Sequence, residues 1–159
     1  MTAAVSSNSA PDSASVRAAI VAEARRWIGT PYHHRAALFG VGCDCLGLVR
    51  GVWANCFGLT LSDLPAYTGD WGDVTGVEGL IEGLGKYLFP VPPDQTAPGD
   101  VLVFRMRRGR VAKHCGIKTG PTGFVHAWEA GPVAEVAQSD WWGDRIVAAF
   151  AARQTQGAC

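Results

Sequence analysis

The chain has 159 residues, of which 48% are hydrophobic, and its 14 Lys and Arg balance its 14 Asp and Glu at a formal net charge of zero. This length suits one domain with its own core, and the balanced charge gives no electrostatic reason to expect nucleic acid or an anionic membrane as a partner. Five irregularly spaced cysteines argue against a secreted disulfide framework, and no run approaches the roughly 18 apolar residues that span a bilayer.

The N-terminal third predicts a tail followed by two helices. Residues 1–14 are mostly small and polar, which is typical of a disordered tail, and they lack the apolar segment of a secretion signal. Apolar residues then recur at helical spacing as far as Ile28, with Ser15 as the predicted N-cap. Residues 32–41 are predicted to form a loop. A second helix is predicted over residues 45–57, capped by Asp44 and ended by Gly58.

The remainder predicts mainly strands. Residues 59–76 are rich in glycine and aromatics and predict an ordered surface loop, and a short helix is possible over residues 77–88. Five strands are then predicted over residues 100–105, 113–118, 124–128, 132–136 and 145–151. Helices followed by antiparallel strands indicate an α+β fold with a helix layer against one sheet. We assign one domain to residues 15–152, with a flexible C-terminus over residues 153–159.

Cys45 is the candidate nucleophile. It begins the second predicted helix, and a helix N-terminus lowers the pKa of a thiol and so favours the reactive thiolate. Cys45 also heads an apolar stripe, and a free cysteine is often just a small buried hydrophobe. The local sequence alone leaves both interpretations open.

A nucleophilic thiol needs a base, and the base needs an orienting group. His114 and His126 lie on strands predicted to be adjacent, where neighbouring side chains approach within about 5 Å, although the register is not fixed by sequence. Glu129 is a rival orienter. If His114 faces the helix layer, strand alternation sends Cys115 to the opposite face of the sheet.

Other residues have weaker roles. His33, His34 and Trp71 are candidate residues of a substrate rim. Arg105, Arg107, Arg108 and Arg110 form a basic patch. Such a patch usually lies on a solvated turn, but it could contact acidic groups of a substrate.

A zinc site is a second interpretation of the Cys and His content. The chain lacks the paired short spacings of structural zinc sites, so we predict neither a metal nor an organic cofactor. The residues that would supply ligands are Cys43, Cys45, His33 or His34, His114 and Cys115.

Five sequence blocks resemble, in order, the motifs of the NlpC-type cell-wall cysteine peptidases, which are papain-like enzymes that cut peptide bonds in bacterial peptidoglycan stems. The blocks are residues 29–32, 42–49, 98–101, 114–117 and 124–127. The resemblance covers roughly residues 16–150. It implies a papain-like fold whose nucleophile helix packs on an antiparallel sheet of about five strands.

The resemblance also implies roles for individual residues. The family's nucleophile falls on Cys45, its base on His114 and its third polar residue on His126. Tyr32 matches a tyrosine near the nucleophile that could position the thiol or polarise the scissile carbonyl. The implied reaction is hydrolysis of a stem-peptide amide beside D-glutamate and diaminopimelate, although an amidase or acyl transferase could use the same residues.

Departures from the family pattern indicate a subgroup. Leu46 stands where the family usually has Ser, and Cys43 adds a second thiol. These variants resemble the cell-wall peptidases of phage tails and gene transfer agents, which implies tail proteins as partners. We therefore expect synthesis in the cytoplasm and delivery by a particle to the periplasm and wall of a target cell. The alternative is a non-catalytic tail-assembly or wall-binding component that retains the fold.

Overall fold

The computed structural model describes residues 13–61, 76 and 78–153. Trp71, nearly all of the predicted tail and nearly all of the predicted flexible C-terminus lie outside these residues. The helices of the described part are α1 (Ser13–Arg26), α2 (Cys45–Phe57), α3 (Gly79–Tyr87) and α4 (Asp140–Gly143). None of them is long and apolar enough to cross a membrane.

Helix α2 has the bounds that its sequence predicts, because both of its caps form. The Asp44 side chain accepts a 2.7 Å hydrogen bond from the Gly47 backbone N–H, and Gly58 ends the helix in the left-handed region at φ 64°. Helix α1 differs from its prediction. It begins at Ser13, so Ser15 lies inside the first turn and is not the N-cap.

The main sheet has six antiparallel strands in the order β3-β8-β4-β5-β6-β7. This confirms the α+β class, with one strand more than the five predicted. The additional strand is β3. The bounds are β3 (Phe89–Val91), β4 (Val101–Phe104), β5 (His114–Lys118), β6 (Gly123–His126), β7 (Ala134–Ala137) and β8 (Ile146–Ala151).

The predicted loop over residues 32–41 contains part of a small sheet. Strand β1 (Ala37–Leu38) pairs with β2 (Gly42–Cys43), which directly precedes α2. Tyr32 forms a parallel bridge with Cys43. This segment packs closely against α2, since a Cβ on Gly47 would lie 1.8 Å from the Ala36 carbonyl oxygen. The small sheet therefore fixes Tyr32 near the start of α2.

Each face of the main sheet carries a separate apolar cluster. On one face Val101, Cys115 and Val125 join the buried residues of α1 and α2. On the other face Phe104 and Phe124 pack with the partly buried Trp142 of α4.

This arrangement determines the face of the sheet on which His114 lies. The His114 ring lies against Phe104 and Trp142, at centroid distances of 5.5 and 5.8 Å. Cys115 faces the helix layer, and His114 lies on the opposite face. Strand alternation therefore separates the two side chains as predicted, and the condition that His114 faces the helix layer is not met.

Candidate active site

The first residues of α2 and β5 meet at one end of the sheet. Cys45 begins α2 and His114 begins β5. The Cys45 Sγ lies 3.7 Å from the carbonyl oxygen of Lys113, the residue that precedes His114. Although His114 lies on the face away from α2, its position at the strand end brings it beside the helix N-terminus. Both side chains line the same cavity.

Asp44 holds the nucleophile segment in place. One carboxylate oxygen caps α2, and the other accepts a 2.7 Å hydrogen bond from the Arg35 backbone N–H. The carboxylate is almost completely buried. Burial, followed by negative charge on Cys45, raises the pKa of Asp44, and the two backbone donors oppose this rise. The predicted capping role of Asp44 is confirmed.

The two strand histidines are hydrogen-bonded to each other. His114 Nε2 lies 2.8 Å from His126 Nδ1, and both rings are buried. They point to the same face of neighbouring strands, as the sequence allowed. Gly116 makes room for this contact, because a Cβ there would lie 3.2 Å from the His126 Cβ and 2.9 Å from a Phe124 ring carbon.

An aromatic enclosure surrounds the histidine pair. The Trp128 ring packs edge-on against His114 at a centroid distance of 4.7 Å, and Trp142 packs edge-on against His126 at 5.1 Å. Sequence analysis missed both tryptophans. Trp128 could have been found, because it lies two residues after His126 and alternation favours the same face. Trp142 lies on the four-residue helix α4, which carries no recognisable periodicity.

The enclosure affects the protonation of His126. Burial, followed by the neighbouring His114, lowers the pKa of His126 to about 4. His126 is therefore neutral near pH 7, and its Nδ1 can accept a hydrogen bond from His114 Nε2–H. In that tautomer His114 Nδ1 carries a lone pair, as a general base requires.

A cavity of about 620 Å³ opens at this site. Its lining includes Cys45, His114, Tyr32, His34 and Glu129. His33, in contrast, is not among its lining residues, and its Nδ1 lies 3.3 Å from the His34 carbonyl oxygen. The structure thus brings together four of the predicted site residues, with His126 directly behind His114.

Tyr32 is half-buried in the cavity wall. Burial, followed by negative charge on Cys45, raises the pKa of Tyr32 to about 12. Its hydroxyl therefore remains protonated and can donate a hydrogen bond. Glu129 also lines the cavity, but the hydrogen-bond partner of the His114 ring is His126. The geometry thus favours His126 over Glu129 as the orienting residue.

The other described thiols differ in their surroundings. A side-chain hydrogen bond with Cys45 and then complete burial raise the pKa of Cys115 well above its usual range. Burial raises the pKa of Cys43 to about 12. Both therefore remain neutral near pH 7, and the contact between Cys115 and Cys45 was not foreseen. Within residues 13–61, 76 and 78–153, no three His, Cys, Asp or Glu side chains are placed to hold a metal ion together.

Comparison with known proteins gives consistent results. A model of the NlpC/P60 family matches residues 29–151. The gamma-DL-glutamyl hydrolase of Bacillus subtilis (strain 168) is 26% identical over 138 residues, which are 86% of this chain and 30% of that protein. This chain therefore spans less than a third of the length of that relative.

Solved structures show the same likeness. The NlpC/p60 domain of the peptidoglycan hydrolase SagA has a TM-score of 0.60 at 25% identity, covering 85% of this chain and 97% of that domain. The peptidoglycan hydrolase RipB from Mycobacterium tuberculosis has a TM-score of 0.55 at 20% identity, covering 89% of this chain and 66% of that one. At its lower identity, the second likeness concerns the fold alone.

Proposed function

The chain belongs to the NlpC/P60 family, and from this premise we propose that it is a cysteine endopeptidase of peptidoglycan stem peptides. The observation that carries the proposal is the placement of Cys45 and His114 in one cavity, with His114 Nε2 hydrogen-bonded to His126. This is the order of nucleophile, base and orienter that acyl transfer requires.

The proposed reaction is acyl transfer to water. His114 Nδ1 takes the proton of the Cys45 thiol, and the thiolate attacks the amide carbonyl. His114 then returns the proton to the departing amine, which leaves a thioester on Cys45. Water, deprotonated by the same nitrogen, hydrolyses the thioester and restores the thiol. Throughout, the neutral His126 holds the His114 ring in one orientation.

Two donors are available for the oxyanion. The backbone N–H of Cys45 lies at the first residue of α2, directly at the nucleophile. The protonated Tyr32 hydroxyl lines the same cavity. We assign both to the carbonyl oxygen in the transition state.

We propose that the bond cleaved joins D-glutamate to diaminopimelate. The resemblance of the motif blocks supports this choice, and the relative from Bacillus subtilis is named as a glutamyl hydrolase. Mass analysis of fragments released from a diaminopimelate-containing wall tests it. Fragments with new ends in the glycan strand would overturn the proposal.

We also propose that a phage tail or gene transfer agent carries the protein to the wall of a target cell. The support is the set of sequence departures, Leu46 and Cys43 above all. Both side chains are buried here, so they are compatible with the fold. Mass spectrometry of purified particles is expected to detect the chain, and its absence from intact particles would contradict carriage.

The catalytic proposal is tested with purified peptidoglycan. The wild-type protein is expected to release stem-peptide fragments, while Cys45→Ala and His114→Ala are expected to release none. Thermal unfolding of each variant shows whether the fold is retained. If the wild type is inactive on walls of several compositions, a non-catalytic assembly or wall-binding role replaces the proposal.

A further inference from the structure

The connection between β4 and β5 supplies a basic wall of the cavity. Glu78 anchors this connection at two points: one carboxylate oxygen accepts a 2.9 Å hydrogen bond from Arg105 Nη2, and the other accepts one of the same length from the Ala112 backbone N–H. Arg105 is thus engaged in a structural ion pair. The segment between the two anchors is held against the cavity.

The remaining arginines of the connection differ in position. Arg107, Arg108 and Arg110 are all exposed, but Arg107 and Arg110 line the cavity that contains Cys45, whereas Arg108 does not. A 3.2 Å hydrogen bond from the Arg110 backbone N–H to the Arg107 carbonyl closes a turn between them. The basic patch that the sequence shows as one unit is therefore divided by the fold.

The charge of the cavity wall is one-sided. Its lining includes three cationic side chains, those of Arg107, Arg110 and Lys113, and Glu129 is the one carboxylate among the described lining residues. A guanidinium group recognises a carboxylate through two parallel hydrogen bonds. A cavity with this lining is suited to an anionic substrate.

We infer that Arg107 and Arg110 are specificity-determining residues that bind a substrate carboxylate next to the scissile bond. The inference rests on the proposed function and names its preferred substrate class, which is stem peptides whose D-glutamyl α-carboxylate is free and not amidated. The two side chains bind the carboxylate in the Michaelis complex and in the transition state, so their removal acts mainly on KM.

Two synthetic stem peptides test this inference. They are identical except that the D-glutamyl residue carries an α-carboxylate in one and a carboxamide in the other. Wild-type protein is expected to hydrolyse the carboxylate peptide with a kcat/KM about tenfold higher, because a charge-assisted hydrogen bond is worth at least that ratio. The preference is expected to weaken as salt is raised.

Variants identify the residues responsible. In the double variant Arg107→Gln/Arg110→Gln the preference for the carboxylate peptide is expected to disappear, because KM for that peptide rises. Arg108→Gln, the matched control on the same connection, is expected to keep the wild-type ratio. Equal melting temperatures confirm that the exposed substitutions leave the fold intact.

The outcomes separate the inference from the proposed function. If wild-type protein hydrolyses both peptides with equal kcat/KM, or if the double variant retains the preference, the inference is overturned and the endopeptidase proposal stands. If wild-type protein hydrolyses neither peptide, the endopeptidase proposal fails and the inference fails with it.

Discussion

The histidine pair requires one particular tautomer. His126 is buried among aromatic rings and next to His114, which holds its pKa at about 4. A neutral His126 accepts a hydrogen bond from His114 and leaves His114 Nδ1 available as a base. A residue far from the thiol in sequence therefore determines which nitrogen of His114 can take the thiol proton.

The depressed pKa of His126 predicts a pH-dependent stability. The unfolded chain binds a proton on this histidine near pH 6.5, but the folded chain binds it only near pH 4. The free energy of unfolding therefore receives its full contribution from the neutral His126 above pH 6.5. It decreases as the pH falls towards 4, by a total of about 3 kcal/mol. We expect His126→Asn to show a flatter decline in the free energy of unfolding between these pH values.

Urea denaturation of both proteins at several pH values from 7.5 to 4 measures this difference. Asn retains an acceptor at the Nδ1 position, so the variant is expected to fold. If the stability curves of the wild type and His126→Asn run parallel over this interval, the assignment of the low pKa to His126 is wrong.

Gly116 provides a second prediction at the residue scale. A Cβ at this position would lie 2.9 Å from both a Phe124 ring carbon and the Val125 carbonyl oxygen, and 3.2 Å from the His126 Cβ. We expect Gly116→Ala to displace His126, to lower kcat by more than tenfold and to destabilise the fold by about 1–3 kcal/mol. Gly120→Ala, with open space around it, is the control and should leave kcat unchanged.

At the scale of elements, two helix glycines differ in the space around them. Gly47 of α2 faces the Ala36 carbonyl oxygen at a distance that leaves no room for a methyl group, whereas a Cβ on Gly85 of α3 would meet only a Phe150 ring carbon at an ordinary 3.7 Å. The first glycine allows the Tyr32 segment to approach the nucleophile helix. The second has no such steric reason.

This contrast predicts that alanine substitutions at the two glycines change the stability of the protein in opposite directions. Gly47→Ala is expected to destabilise the protein by several kcal/mol, by analogy with severe overpacking, and to reduce activity. Gly85→Ala is expected to stabilise it by about 0.5–1 kcal/mol, because alanine has the higher helix propensity. Chemical denaturation measures both, and a stabilising Gly47→Ala would show that the small sheet and α2 are not in close contact.

The same elements show how far the sequence predicts the fold. The bounds of α2 are predictable because Asp44 and Gly58 are strong local signals. Strand β3 is missed because Pro90 argues against a strand. Pro90 is tolerated because β3 is an edge strand that pairs only with β8. Alternation places His114 and Cys115 on opposite faces, but no local signal says which face the helices cover.

At the scale of the whole molecule, the helix layer is joined to the sheet by an ion pair that is mostly buried. Arg17 Nη1, on α1, lies 2.6 Å from Asp100 Oδ1, in the residue directly before β4, and 3.2 Å from the Pro98 carbonyl oxygen. The second Asp100 oxygen accepts a 2.8 Å hydrogen bond from the Ala97 backbone N–H. A second ion pair, between Arg25 of α1 and Glu135 of β7, is much more exposed.

The difference in burial predicts unequal contributions of the two ion pairs to stability. Asp100 is 1% exposed and Arg17 is 33% exposed. Asp100→Ala removes the acceptor of the Ala97 backbone N–H and leaves Arg17 with the Pro98 carbonyl but no carboxylate, so it is expected to cost about 2 kcal/mol after allowance for solvent screening. Glu135→Gln, at the exposed pair, is expected to cost less than about 1 kcal/mol. Neither residue lines the cavity, so hydrolysis at 25 °C should persist in both variants while the melting temperature of Asp100→Ala falls. Equal losses of unfolding free energy in the two variants would show that burial does not set the contribution of these pairs.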